Sequence, residues 1–166
     1  GNTGDGSLII EAGAGVSNIA TFIGNDTDSN GIITVTGVGS QLNTSFFVHV
    51  GERGTGTLNI EAGGVVSNGD SSIANQASSS GSVSVTGPGS QWNSSGDLFV
   101  GEAGNGTLLI EDSGEVISGD GFIGEQSASI GSVTVADAGS MWRSSAVYVG
   151  GSDLSSGGAG VLNINA

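Results

Sequence analysis

The chain has no cysteine and no lysine. It holds one proline (Pro88), one histidine (His49) and two arginines, Arg53 and Arg143, in 166 residues. The lack of cysteine excludes disulfide frameworks and Cys-based metal sites. A lone histidine excludes a His-rich zinc site. Sixteen acidic residues against two basic ones leave a formal net charge of −14. That balance opposes nucleic acid, whose phosphates demand basic contacts. It also disfavours anionic lipid, and it attracts divalent cations without specifying a site. No apolar run reaches the roughly 18 residues of a spanning helix, so this segment is not expected to insert into a membrane.

What the chain has in quantity is glycine, 33 of 166 residues, without the every-third-residue period of collagen. The glycines punctuate a repeat. GSVSVTGPGSQWNSSGDLFVG begins at Gly81, GIITVTGVGSQLNTSFFVHVG at Gly31 and GSVTVADAGSMWRSSAVYVG at Gly131, so the opening glycines lie 50 apart. A second block fills the gaps: GSLIIEAGAGVSN at Gly6, GTLNIEAGGVVSNG at Gly56 and GTLLIEDSGEVISG at Gly106. A repeat of this length fixes the architecture before any motif is considered.

Within the 50-residue unit lies a half-period. Ile10, Val35, Ile60, Val85, Ile110 and Val135 are spaced 25 apart, and Leu8, Ile33, Leu58, Val83, Leu108 and Val133 precede them by two. Alternation of period two means a strand with one buried face. Two further short apolar patches follow in each half-unit, around Val65–Val66 and Ile73–Ala74, or around Trp92 and Leu98–Val100. Three short strands per 25 residues predict an all-β fold, a parallel β-helix (β-solenoid) stacking at about 4.8 Å per turn. The right-handed coil is expected from the handedness of parallel crossovers.

The Gly37–Gly39 and Gly87–Gly89 pairs read as corners with positive φ, and Asp137 takes the first of these places in the third unit. Pro88 suits such a corner, outside the ladder. The units run 1–50, 51–100 and 101–149, with a partial 150–166 after a loop at Ser152–Gly158. The chain begins and stops inside a repeat and has no polar cap, which reads as one β-helix segment of a longer repeat protein, or as a unit that polymerises.

Chemistry is sparse. Glu11, Glu61 and Glu111 recur at 50 and stack every second turn, a spacing of about 10 Å that suits a solvated face better than a retaining glycosidase pair. Glu52, Glu102 and Glu125 follow V-G, V-G and I-G, again as repeat positions. Asp26-Thr-Asp28-Ser-Asn30-Gly31 matches the first half of a calcium loop. Its twelfth place is Gly37, so the closing glutamate is missing, and the equivalent loops at Gln76 and Gln126 lack the acids. Asp26, Asp28 and Asn30 are therefore the candidate metal ligands, for calcium; no other cofactor and no catalytic residue is expected. His49 stands where Phe99 and Tyr148 stand in later units, a substituted aromatic on a strand surface. Trp92, Trp142 and Leu42 share one position. The two tryptophans either pack the core or offer rings for a glycan.

These units resemble the repeats of bacterial autotransporter passenger domains. The likeness is closest to the passenger repeat shared by type V secreted proteins and some surface proteins with a C-terminal sorting signal. It is carried by the glycine, V-x-V-T-G-x-G-S-x-W and closing V-G that recur together. Thr36 and Thr86 fit that motif, Ala136 departs from it, and Leu42 replaces its tryptophan. The resemblance implies a right-handed β-helix stalk, exported and displayed at the cell surface or secreted, serving adhesion, aggregation or biofilm building. It transfers no catalytic residue.

Three readings follow. The first is a structural or adhesive segment of an extracellular bacterial protein, not an enzyme, whose partners are a host or bacterial surface glycan or protein. The second is a filament subunit that associates end to end or side by side. The third is a carbohydrate-active enzyme or glycan-binding module.

Overall fold

The computed structural model describes residues 3–152 and 155–165, and every regular element among them is a strand. Strands are numbered in chain order. The first sheet holds β1 (Asp5–Ile10), β4 (Asn30–Thr36), β7 (Thr55–Glu61), β10 (Ser80–Thr86), β13 (Asn105–Glu111), β16 (Ile130–Ala136) and β21 (Ala159–Asn165). The second holds β2 (Gly15–Asn18), β5 (Gln41–Thr44), β8 (Val65–Asn68), β11 (Gln91–Ser94), β14 (Glu115–Ile117) and β17 (Met141–Arg143). The third holds β3 (Thr21–Ile23), β6 (Phe47–Val50), β9 (Asp70–Ile73), β12 (Leu98–Val100), β15 (Asp120–Ile123) and β18 (Ala146–Val149). Successive strands within each of these sheets pair in parallel, one from each turn. The molecule is a β-solenoid of about six turns with roughly 25 residues per turn.

The first sheet keeps the 25-residue step throughout its first six strands. Ile10 pairs with Val35, Thr34 with Asn59, and Val85 with Ile110. The interior column from Ile10 to Val135 is buried at every turn, at 9 % exposure or less. In the column two residues earlier, only Leu8, on the edge strand β1, is exposed. Each fully buried Val, Leu or Ile contributes about 1.5–3 kcal/mol, and it does so only because a neighbouring turn supplies the other wall.

The glycines that open the first-sheet strands answer to close packing. Gly81 has ordinary negative φ, but a Cβ there would press on the backbone of Val50 and Ala74 and on the Ile73 side chain. The corners behave as the sequence predicts: Gly37 and Gly87 have φ of 89° and 92°, and Asp137 adopts 69° in the same place.

The other sheets explain why the sequence repeats at 50. In the third sheet Phe22, His49, Ser72, Phe99, Phe122 and Tyr148 align. Their separations alternate between 27 and 23 until the last step. The second and fourth turns take one extra residue at each of the first two corners and return to the first sheet two residues sooner. Two turns, not one, are therefore the unit of sequence.

After β18 the chain enters the loop expected at Ser152–Gly158. Gly151–Ser152 pairs antiparallel with Ser155–Ser156, and residues 153 and 154 lie outside the described residues. Stacking then resumes, with Gly160 opposite Gly131 and Leu162 opposite Val133.

Candidate functional site

The Asp26–Asn30 turn is built by a serine. Ser29 is buried, its Oγ donates to the Asp26 carbonyl at 2.6 Å, and the Asp26 N–H donates back to Ser29 Oγ at 3.1 Å. Ser79 and Ser129 make the same bond to the Gln76 and Gln126 carbonyls, both at 2.7 Å. Asp28, Ser78 and Ala128 share a left-handed φ of 63–70°. The turn thus forms with or without acids. Asp26 uses Oδ1 to accept from the Thr27 N–H at 2.9 Å. Asn30 begins β4, whose seven extended residues carry position 37 away from Asp26. The twelve-residue wrap of a calcium loop is absent, leaving an exposed Asp28 beside Asp26. Among the described residues no cluster of three or more His, Cys, Asp or Glu is placed to hold a metal.

Of the two readings of Trp92, core packing and glycan contact, its burial bears out the first. Its ring points into the solenoid and is 0 % exposed. The indole N–H donates to Asn68 Oδ1 at 2.8 Å, and Asn68 Nδ2 donates to Ser71 Oγ at 2.7 Å. A buried indole needs such an acceptor, and the turn before supplies it. Trp142 faces inward in the same column and donates to Ser118 Oγ at 3.1 Å. It is half-buried, because no further second-sheet strand covers it among the described residues. Gly121 leaves the space its ring fills.

The outward aromatics form a ladder. Phe99, Phe122 and Tyr148 stack at 4.9 Å between centroids, with interplanar angles of 10° and 7°. Their spacing is the rise of the coil, so the rings cover one another's faces and present edges to solvent. His49 lies in this column and stacks on Phe47 at 4.3 Å, with Phe22 edge-on. Its Nδ1 meets Glu52 Oε2 at 2.5 Å. Across from His49 is Ser72, whose Oγ is buried without a hydrogen-bond partner. No bond joins imidazole and hydroxyl, and solvent does not reach the hydroxyl, so the trio offers no accessible nucleophile.

Two acidic rows flank the ladder. Asp70 Oδ1 accepts from the Asp97 N–H at 3.0 Å, and Asp97 Oδ1 accepts from the Asp120 N–H at 2.8 Å. These aspartates fasten one turn to the next. Sequence reading at a fixed 25 misses the row, since its members lie 27 and 23 apart. On the other flank, Asn75 Nδ2 donates to Glu102 Oε2 at 2.8 Å. Burial, and then the charge of Glu102, push the Glu125 carboxyl above the usual carboxylate range.

One open trough of about 630 Å³ follows the line where the second sheet turns into the third. It carries no charged residue. Comparison with protein-family models, curated proteins and solved structures finds no match to this chain.

Proposed function

We propose that this chain is a structural or adhesive segment of a secreted or surface-displayed bacterial protein, a stalk of passenger-domain type. The observation that carries the reading is the use made of the recurring polar residues. Ser29, Ser79 and Ser129 close turns, Ser40 and Ser90 hold the Gly13 and Gly63 N–H groups at 3.1 and 3.0 Å, and the aspartate row ties turn to turn. Each of these recurring side chains is engaged in holding the coil. The resemblance of the repeats to autotransporter passengers supports the extracellular setting.

Duplicating residues 56–105 tests it. The added unit should lengthen the rod by two turns, about 10 Å, as read by small-angle scattering. The variant should display on a bacterial surface as the parent does. Loss of folding on duplication, or a turnover activity abolished by one acidic substitution, contradicts the proposal.

A further inference from the structure

We infer that the trough between the second and third sheets is a binding site for a neutral polysaccharide lying along the solenoid axis, with Phe46 as its aromatic anchor. This site stands apart from the stalk role and from the two tryptophans.

The corner beside the trough breaks the repeat. Gly69, Gly96 and Gly119 follow one another there, linked by backbone hydrogen bonds of 3.1 and 2.7 Å. In the first two turns the same places hold Ile19 and Phe46, joined by a 2.9 Å backbone bond. Their side chains are 70 % and 65 % exposed. Phe46 stacks on no other ring among the described residues, although Phe22, Phe47 and His49 close by all do. The later turns place glycine at this corner and then Ser145, which bonds to the Gly119 carbonyl at 2.8 Å, so the coil does not need a large side chain here. Side by side on neighbouring turns, Ile19 and Phe46 form one exposed apolar patch at the margin of the polar trough.

The trough itself sets the chemistry of the occupant. Ser17, Asn43, Ser67 and Asn93 line it, one per turn. The side chains of Ser17, Ser67 and Asn93 have no protein partner. Hydroxyl and carboxamide groups therefore recur at about 4.8 Å, facing out, and of the four only the Asn43 amide has a protein partner, Gln41 Oε1 at 3.3 Å. A chain of sugar rings presents hydroxyls at similar intervals, and the C–H face of a ring packs against an aromatic side chain. The lining has no charge to bind an ionic polymer, and the net charge of −14 repels a polyanion. An extended peptide would seek backbone partners at a sheet edge, whereas this floor is a sheet face whose backbone groups are paired within the ladder.

The test uses the whole chain, titrated by NMR with soluble neutral oligosaccharides of α- and β-glucan type and with uronic-acid oligomers. Affinity for at least one neutral series should rise with chain length, and the shifts should map to the trough. Phe46→Ala and Asn93→Ala should each weaken it by about tenfold, with far-UV circular dichroism unchanged. Phe99→Ala, on the third sheet, should bind as the parent does. Absence of binding by every neutral oligosaccharide overturns the inference. So does binding that survives both trough substitutions, or that is equalled by the uronic-acid series.

Discussion

Asp97 receives the backbone N–H of Asp120, one turn ahead, on its Oδ1 at 2.8 Å. Its own N–H is held by Asp70 from the turn behind at 3.0 Å. Each carboxylate thus completes a corner that sheet pairing alone leaves open. Asp97→Ala removes an acceptor from a part-buried N–H and should cost about 1 kcal/mol. Asp97→Asn keeps an acceptor oxygen and should recover most of it. Urea unfolding of both variants decides; equal losses would mean that charge, not the hydrogen bond, matters.

The two tryptophans should behave differently although they share a column. Trp92→Phe strips the donor from a buried Asn68 oxygen and should cost about 2 kcal/mol. Trp142→Phe, at a half-buried position, should cost less. Acrylamide quenching of the single-tryptophan variants should reach Trp142 and spare Trp92. Comparable quenching of both would overturn the inward placement of Trp92.

Gly81→Ala should be among the most damaging single changes, about 3 kcal/mol or more by analogy with other overpacked cores. Its new methyl would meet backbone from an adjoining turn, which cannot swing aside. Gly15→Ala is the control, because nothing lies within 4 Å of its added Cβ, and it should be neutral or slightly stabilising. Thermal unfolding of the pair separates close approach from a general intolerance of glycine loss.

Glu125 gives a pH signature. Its carboxyl is raised in the folded chain by burial and by Glu102, so between the unfolded and folded values the folded state holds a proton that the unfolded state has released. Stability contributed at this site therefore falls as pH rises from the ordinary carboxylate range through the folded value. Glu125→Gln should raise the melting temperature by about a degree or two at pH 7. The gain should vanish in acid, where both states of the parent are protonated. A gain independent of pH would assign the effect to packing.

The fold was legible because the first sheet never changes its step. Ile10 to Val135 fall at a constant 25, and each short V-x-V or L-x-I carries the alternation of a half-buried strand. The turn at Asp26 was legible only as the first half of a calcium loop. The serine that builds it recurs at 50, as Ser29, Ser79 and Ser129, but its burial shows only in the structure. The aspartate row was obscured by the alternation of corner lengths, which sets its members 27 and 23 apart, and Phe122, 23 residues after Phe99, was missed in the aromatic column for the same reason.

The sequence by itself determined a stack of short parallel strands, since 25-residue spacing of apolar pairs has no other way to bury them all. Only the tertiary structure decided which way each side chain faces. In a strand of three or four residues, one place of slip exchanges inside and outside. That choice put Trp92 against Asn68 in the core, left Phe46 in solvent, and turned a candidate sugar platform into packing while opening a trough elsewhere.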